Sequence, residues 1–406
     1  RPIAAAGNPT GTAGADMNDL FEYWQLLLIP LFFLLGWAAA RVDMRQVVHE
    51  SRALPRSYFQ GLNFLLNEQP DKAIDSFLEV AKVDSQTVEL HFALGNLFRR
   101  RGETERAIRM HQNLIDRPDL DDAVRLHALS ELGQDYLKAG LLDRAEEIFN
   151  KLIGTKFEEE AKGSLLEIFQ AEKEWLKAIE LARELPDVAS QQEVAEFYCE
   201  LAANEIMRSK PDSARAYLES AMQQNRKCVR ASLLQGDLLL QEGRQEAAIE
   251  AWQRIEQQDP AYLALIAQRL LESYRKLERR DEGIALLSVY LERYPSLDLL
   301  DVVYQLVLEA KGVEAAYRLV QAELQRNPTL LGLEKLMSAR LPLVAPDVRP
   351  DVELAKTIIQ GYTKRLSRYR CDNCGFKARQ FYWRCPACGG WETYPPRRSE
   401  EFDQTL

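Results

Sequence analysis

The chain has 406 residues, of which 46% are hydrophobic and 28% are charged, a balance typical of a folded protein rather than a disordered one. The formal net charge of -10 excludes broad electrostatic binding of nucleic acid by the whole chain, although a local basic patch stays compatible with it. Six cysteines do not form a disulfide framework, so we expect the folded part in a reducing compartment.

An uncharged apolar stretch near the N-terminus runs from Trp24 to Ala40. Residues 1–16 before it are small and turn-forming, which predicts a disordered extension ahead of Met17. As a helix the stretch would be about 25 Å long, near the short limit for crossing a bilayer, so residues 17–41 predict a single transmembrane anchor. Arginines outnumber acidic residues in and around the juxtamembrane linker at 42–55, which places the bulk of the protein in the cytoplasm.

Two other interpretations of this stretch stay open. The run from Ala38 to Ala40 resembles a signal-peptidase site, but a signal peptide needs a basic start, and the residues ahead of the stretch instead include Asp19 and Glu22. The third possibility is a soluble helix. The uncleaved anchor is the interpretation that the charges favour.

A pattern of about 34 residues recurs through the middle of the chain. In the clearest copies a glycine of a first helix is followed four residues or fewer later by an aromatic residue, as in Gly61 with Phe64 and Gly133 with Tyr136. A small residue marks each second helix: Ala73, Ala107, Ala145, Ala178, Ala214, Ala248, Gly283 and Ala316. This pattern resembles the tetratricopeptide repeat, and it predicts an all-α superhelical solenoid of about eight repeats over 56–341.

Copies four and five of the repeat, over 162–226, match poorly, because Leu166 and Ala202 stand where glycine is expected. Helix packing alone explains most of the recurring positions within any single copy. The array as a whole predicts a surface that binds protein segments. The chain shows no phosphate-binding loop and no nucleophile elbow, and its four histidines are scattered, so we do not expect an enzyme.

The last part of the chain predicts a metal site. A proline-rich break and a terminal helix occupy 342–368, a cysteine module occupies 369–396, and a tail occupies 397–406. The module contains two CxxC pairs, each followed by glycine (Gly375 and Gly389), and this arrangement suits tetrahedral coordination of one Zn²⁺ or iron ion. The predicted ligands are Cys371, Cys374, Cys385 and Cys388.

The module is too short to build a core of its own, so we expect the metal to supply much of its folding free energy and the last helices of the array to supply the rest. A structural role for the ion is favoured over electron transfer. The segment 364–398 contains nine lysines and arginines and two acidic residues, Asp372 and Glu392, so the module is basic. A basic surface could bind nucleic acid, anionic lipid headgroups or an acidic protein face, or it could simply be solvated.

Three segments together resemble the lipopolysaccharide assembly protein B (LapB, formerly YciM) family of Gram-negative bacteria. They read MNDLFEYWQLLLIPLFFLLGWAAAR, LPRSYFQGLNFLLNEQPDKAIDSF and YRCDNCGFKARQFYWRCPACGGWETYPPRR. The resemblance covers Met17 to about Arg398, and the CPxCG pair with its aromatic surroundings is similar to rubredoxin, although the loop between the pairs is shorter.

The resemblance implies a non-enzymatic adaptor that is a single-pass protein of the inner membrane, with its bulk on the cytoplasmic side. It implies regulation of lipopolysaccharide synthesis through proteolysis of the lipid A deacetylase LpxC by the membrane protease FtsH, together with contact to inner-membrane proteins that sense and assemble lipopolysaccharide. It also implies one Fe or Zn ion on the four cysteines. A dimer is left open as the oligomeric state. The alternative is a membrane-tethered protein that binds RNA or DNA through the basic cysteine module.

Overall fold

The computed structural model describes residues 56–67, 69–83, 88–185, 190–363 and 369–396. The predicted N-terminal extension, the anchor at 17–41, the linker at 42–55 and the tail at 397–406 lie outside these ranges. Within the described ranges, no helix is both long enough and apolar enough to cross a membrane. The membrane anchor therefore stays a prediction.

The described chain is almost entirely helical and divides into two compact units, Arg1–Ile148 and Phe149–Leu406. In the first unit, neighbouring helices pack against each other in sequence. Its helices are α1 (Arg56–Leu66), α2 (Pro70–Val83), α3 (Val88–Arg100), α4 (Thr104–Ile115), α5 (Asp122–Lys138) and the beginning of α6 (Leu142–Leu152), within which the division falls.

The second unit continues the helical pairs and ends in a small strand pair. Its helices are α7 (Glu158–Glu172), α8 (Trp175–Glu184), α9 (Gln191–Met207), α10 (Pro211–Gln224), α11 (Val229–Gln241), α12 (Gln245–Gln253), α13 (Ile255–Gln258), α14 (Leu263–Lys276), α15 (Arg280–Arg293), α16 (Leu297–Lys311), α17 (Val313–Arg326), α18 (Leu330–Arg340) and α19 (Arg349–Thr363). Short 3₁₀ turns lie at Pro260–Tyr262 and Leu341–Leu343. Strands β1 (Tyr369–Arg370) and β2 (Lys377–Ala378) pair antiparallel, with Tyr369 opposite Ala378.

The turn between the two helices of a pair contains a residue with positive φ in regular and irregular copies alike. Gly102 and Gly243 adopt positive φ values of 80° and 78° at this point, where a side chain would be strained. Lys173 and Ser209 take the same region at 61° and 58° in copies four and five. The turn therefore repeats through 162–226, where the first-helix glycine is missing, and this resolves the register that the sequence leaves uncertain.

The small residues of the repeat allow the two helices of a pair to approach closely. All eight second-helix markers are buried, from Ala73 to Ala316. A Cβ atom added at Gly61 would lie 2.6 Å from a ring carbon of Phe77, and one added at Gly236 would overlap the indole ring of Trp252. At Gly61, Gly95 and Gly236 the first-helix glycine thus makes room for a large side chain that comes sixteen residues later.

Candidate metal centre and its docking face

Each CxxC pair of residues 369–396, the metal module, forms the same tight backbone loop. The N–H of Gly375 donates to the carbonyl of Cys371 and the N–H of Gly389 donates to that of Cys385, both at 2.9 Å. The two glycines have φ values of 73° and 70°, so the turn needs a residue that tolerates the left-handed region. The strand pair encloses the first loop, and a bridge between Arg384 and Trp391 encloses the second. The N–H of Asp372 donates to the carbonyl of Thr393 at 2.8 Å and joins the two halves of the module.

The four predicted ligands meet at one point. The Sγ atoms of Cys371 and Cys388 lie 3.8 Å apart, those of Cys374 and Cys385 lie 3.7 Å apart, and all four lie within 4.8 Å of one another. Sulfurs bound tetrahedrally at about 2.3 Å from one ion would be about 3.8 Å apart. The spacing therefore fits a Cys₄ site for zinc or iron and excludes disulfide bonds in this arrangement, because bonded sulfurs are about 2 Å apart.

Backbone and side-chain donors favour thiolates at this point. Although burial opposes ionisation of Cys371, the Thr393 hydroxyl and the N–H groups of residues 373 and 374 lower its pKa to about 6. The N–H of Gly390 lowers the pKa of Cys388, and the Asn373 amide donates to the same sulfur at 3.6 Å. Although the N–H of Phe376 opposes it, burial and the neighbouring sulfurs raise the pKa of Cys374. Metal ligation requires deprotonated thiols, so the donors favour ligation at Cys371 and Cys388, and a bound cation would offset the repulsion among the sulfurs.

The module has a small aromatic core beside the cysteines. Tyr394 is 1% exposed and packs with Phe376, Phe381 and Tyr382. Its hydroxyl donates to the carbonyl of Tyr369 at 3.0 Å, which ties the end of the module to β1. Four large rings in so short a segment supply part of its stability, while the crosslink through the metal would supply the remainder.

The outer side of the module packs on the second unit through two tryptophans. Trp391 meets the rings of Trp175 and Phe197 edge-on, with centroids 6.0 and 6.1 Å away. Trp383 stacks flat on Tyr262, with centroids 5.5 Å apart and planes 8° apart. These partners come from α8, α9 and the 3₁₀ turn before α14, so the module spans several helical pairs.

Arg230 of α11 lies between the two tryptophans and joins the aromatic contact to an ion-pair network. Its guanidinium carbon is 5.5 Å from the centre of Trp383 and 5.9 Å from that of Trp391, which is cation–π distance. The same group donates to Glu196 at 3.1 Å and to Glu200 at 2.7 Å, both on α9. Arg230 is 8% exposed and Glu196 is fully buried, so loss of either side chain would leave a buried charge without its partner.

Polar contacts to α7 complete the contact surface. Arg384 donates to the carbonyl of Gln170 and the Trp391 indole N–H donates to the Gln170 side chain, both at 3.4 Å. We define the docking face as Gln170, Trp175, Glu196, Phe197, Arg230 and Tyr262. The expectation that the module would pack on the last helices is therefore wrong: it packs on α7, α8, α9, α11 and the turn at Pro260–Tyr262.

The aromatic residues that suggested nucleic-acid binding are engaged elsewhere. Trp383 and Trp391 pack on the docking face, and Phe381 packs on Tyr262 and Tyr394, so none of these rings is presented for base stacking. Arg384 is half-buried in the contact with α7. The basic, aromatic composition of the module is thus partly explained by packing within the protein.

A second group of potential ligands lies under the module but is better explained as an ion-pair network. Oxygens of Glu196 and Glu392 and the Cys228 sulfur lie within 4.8 Å of one another. The Arg230 guanidinium already holds Glu196, and a cation placed there would be repelled by it. The two cysteines outside the module, Cys199 and Cys228, are both fully buried.

Comparison with known proteins agrees with both parts of the fold. Residues 369–396 match a family described as "Rubredoxin metal binding domain", and residues 60–118 and 206–262 match "Tetratricopeptide repeat". "Lipopolysaccharide assembly protein B" of Escherichia coli K12 is 36% identical over 378 residues, which cover 92% of this chain and 97% of that protein. The protein of the same name from Haemophilus influenzae Rd is 32% identical over 93% of this chain and 98% of its own. The chain therefore belongs to the lipopolysaccharide assembly protein B family.

Proposed function

We propose that the protein is an adaptor of the inner membrane that regulates lipopolysaccharide synthesis by modulating FtsH-dependent proteolysis of LpxC. The observation that carries the proposal is its identity of 36% to lipopolysaccharide assembly protein B over nearly the whole length of both chains. The repeat fold supports a role in protein binding, since helical repeats of this kind serve as extended binding surfaces. A non-enzymatic role is part of this proposal.

We further propose that Cys371, Cys374, Cys385 and Cys388 hold one structural zinc or iron ion. The sulfur spacing and the thiolate-stabilising donors support this assignment. The ion would fix the two loops that carry Trp383 and Trp391. Its role in the adaptor is then to keep the docking face covered and the module in one position, rather than to transfer electrons.

The proposed location is the cytoplasmic side of the inner membrane, with the uncharged stretch at 24–40 as a single-pass anchor. The sequence pattern alone supports this location. FtsH, LpxC and the inner-membrane proteins that sense and assemble lipopolysaccharide are the proposed partners, and a dimer stays open.

The proposal is tested by depleting the protein in its native bacterium and measuring the amount and half-life of LpxC. We expect LpxC to persist longer and accumulate severalfold. Re-expression of the natural chain should restore the normal half-life, and Cys371→Ser should restore it less well. Affinity capture from detergent-solubilised membranes should recover FtsH with the natural chain. An unchanged LpxC half-life after depletion would contradict the proposal.

A further inference from the structure

The contact between the metal module and α9 buries an excess of carboxyl groups. Glu392 of the module and Glu196 of α9 place carboxylate oxygens within 4.8 Å of each other. Glu196 is fully buried and Glu200 lies next to it, whereas Arg230 is the cation in contact with both. Arg384 also interacts with Glu200, but two guanidinium groups cannot neutralise three carboxylates, so docking brings together more negative charge than the contact compensates.

The backbone holds Glu392 at this position. Its φ of 52° lies in the left-handed region, which costs a side-chain-bearing residue about 1 kcal/mol or more. The N–H of Glu392 donates to the carbonyl of Trp383 at 3.3 Å, which connects the strained residue to the loop that stacks on Tyr262. A carboxyl group is thus kept next to Glu196 although the local conformation and the charge both oppose it.

Two carboxyl groups this close in a largely buried site favour holding one proton between them, because a single negative charge is far less costly there than two. Burial, followed by the proximity of Glu196, raises the pKa of Glu392 to about 7. The groups that interact with the pair are Glu200 and Cys199 on α9, Cys228 just before α11, Arg230 on α11, and Asp259 and Tyr262 before α14. In the module, Arg384 interacts with Glu200 and Asp372 with Tyr262.

We propose that a proton shared between Glu392 and Glu196 latches the metal module onto the docking face, so that the module is held more weakly when this proton leaves. When the module is undocked, Glu392 is exposed to water and has the ordinary pKa of a glutamate side chain. Docking is accordingly strongest when the proton is bound and weakens as the pH rises toward the docked pKa. The adaptor then carries a pH-sensitive contact at the junction of its two folds.

The linkage predicts a size for the effect. With a docked pKa near 7 and an ordinary undocked value, the ratio of docked to undocked module should fall about tenfold between about pH 6 and about pH 8. The change should flatten above the docked pKa, where neither state binds the proton. Glu392→Gln, which keeps the shape and removes the titration, should make docking independent of pH over this interval.

The test uses the full chain, loaded with zinc, in detergent. Infrared difference spectra across the pH range should show the carbonyl stretch of a protonated carboxyl group disappearing near neutral pH. We expect the band to be absent from Glu392→Gln and from Glu196→Gln. Glu205→Gln is the matched control, because Glu205 lies on the same helix and pairs with Arg208 at its far end. A band that persists in Glu392→Gln, or no titrating band in the natural chain, would overturn the proposal.

Hydrogen exchange tests the consequence for docking. Protection of backbone amides in 380–394, corrected for the intrinsic pH dependence of exchange, should be about tenfold lower at about pH 8 than at about pH 6 in the natural chain and in Glu205→Gln. In Glu392→Gln it should not change with pH. If protection in the natural chain is also independent of pH, or if the loss persists in Glu392→Gln, the carboxyl pair is not a latch. Glu196→Gln repeats the test from the other side of the contact, should Glu392→Gln not fold.

Discussion

Gly236 shows at the level of single residues how the repeat pattern becomes structure. The position lies on α11 opposite Trp252 of α12, and Trp252 is fully buried and donates its indole N–H to the carbonyl of Leu233 at 3.2 Å. The ring fills the space that the missing side chain leaves. The backbone at Gly236 is helical and would by itself accept alanine. Glycine is required there because the Trp252 ring comes so close.

We expect Gly236→Ala to lower the free energy of unfolding by about 1–3 kcal/mol, because the added methyl group overlaps a ring that has no room to move. Gly163→Ala is the matched control: Gly163 lies inside α7, and an added Cβ would meet nothing within 4 Å. Gly163→Ala should instead raise the free energy of unfolding by about 1 kcal/mol, because alanine has the higher helix propensity. Urea unfolding of the metal-loaded variants measures both, and equal effects of the two would contradict the packing argument.

At the level of elements, the sequence predicts the helical pairs well where they serve only packing. Gly61 identifies a helical pair correctly, and Gly375 and Gly389 identify the two CxxC loops. The prediction weakens at 162–226, where Leu166 and Ala202 replace glycine. Those same pairs provide Gln170, Trp175, Glu196 and Phe197 of the docking face. Residues of these pairs therefore meet a second requirement beside repeat packing, namely contact with a segment far along the chain.

The docking face itself could not be derived from the sequence. Arg230 looks like an ordinary helical arginine, and Tyr262 like a residue after a proline. Their partners Trp383 and Trp391 are more than a hundred residues away, and no local periodicity connects such positions. The module did contain one weak signal. A segment of 28 residues builds only a small core, which leaves Trp383 and Trp391 without room to be buried inside it. Such residues indicate a contact surface, but they do not indicate which helices provide it.

We expect Trp383→Ala to loosen the metal module without unfolding the helical pairs. The substitution removes the flat stacking on Tyr262 and one of the two rings around Arg230, which should weaken docking by about 2 kcal/mol, or about thirtyfold. The rate of zinc transfer to a chelator should rise in proportion if undocking exposes the site. Tyr362→Ala is a control, because Tyr362 on α19 is 67% exposed. Unchanged zinc transfer in Trp383→Ala would show that stacking does not protect the ion.

At the level of the whole molecule, the chain has two compact units, and the metal module belongs to the second. Its contacts reach from Gln170 to Tyr262, so a segment of 28 residues matched by the rubredoxin family covers the faces of several helical pairs. An ion held by the four cysteines would thereby be connected to the ordering of helices that contribute no ligand to it. Loss of the ion should affect those helices and leave the first unit as it is.

Removal of the metal provides the last prediction. Without an ion, four thiols replace a crosslink, the two loops lose their fixed arrangement, and Trp383 and Trp391 no longer arrive together at the docking face. Buried Glu196 and Arg230 then meet water, and hydrogen exchange should increase by tenfold or more in 158–262. Exchange in 88–138, within the first unit, should stay within twofold of the metal-loaded protein. Chelated natural chain and Cys371→Ser should give the same pattern, since both lack the crosslink. If the increase were uniform over both units, the ion would stabilise the chain in a general way, and the docking face would not be its route of action.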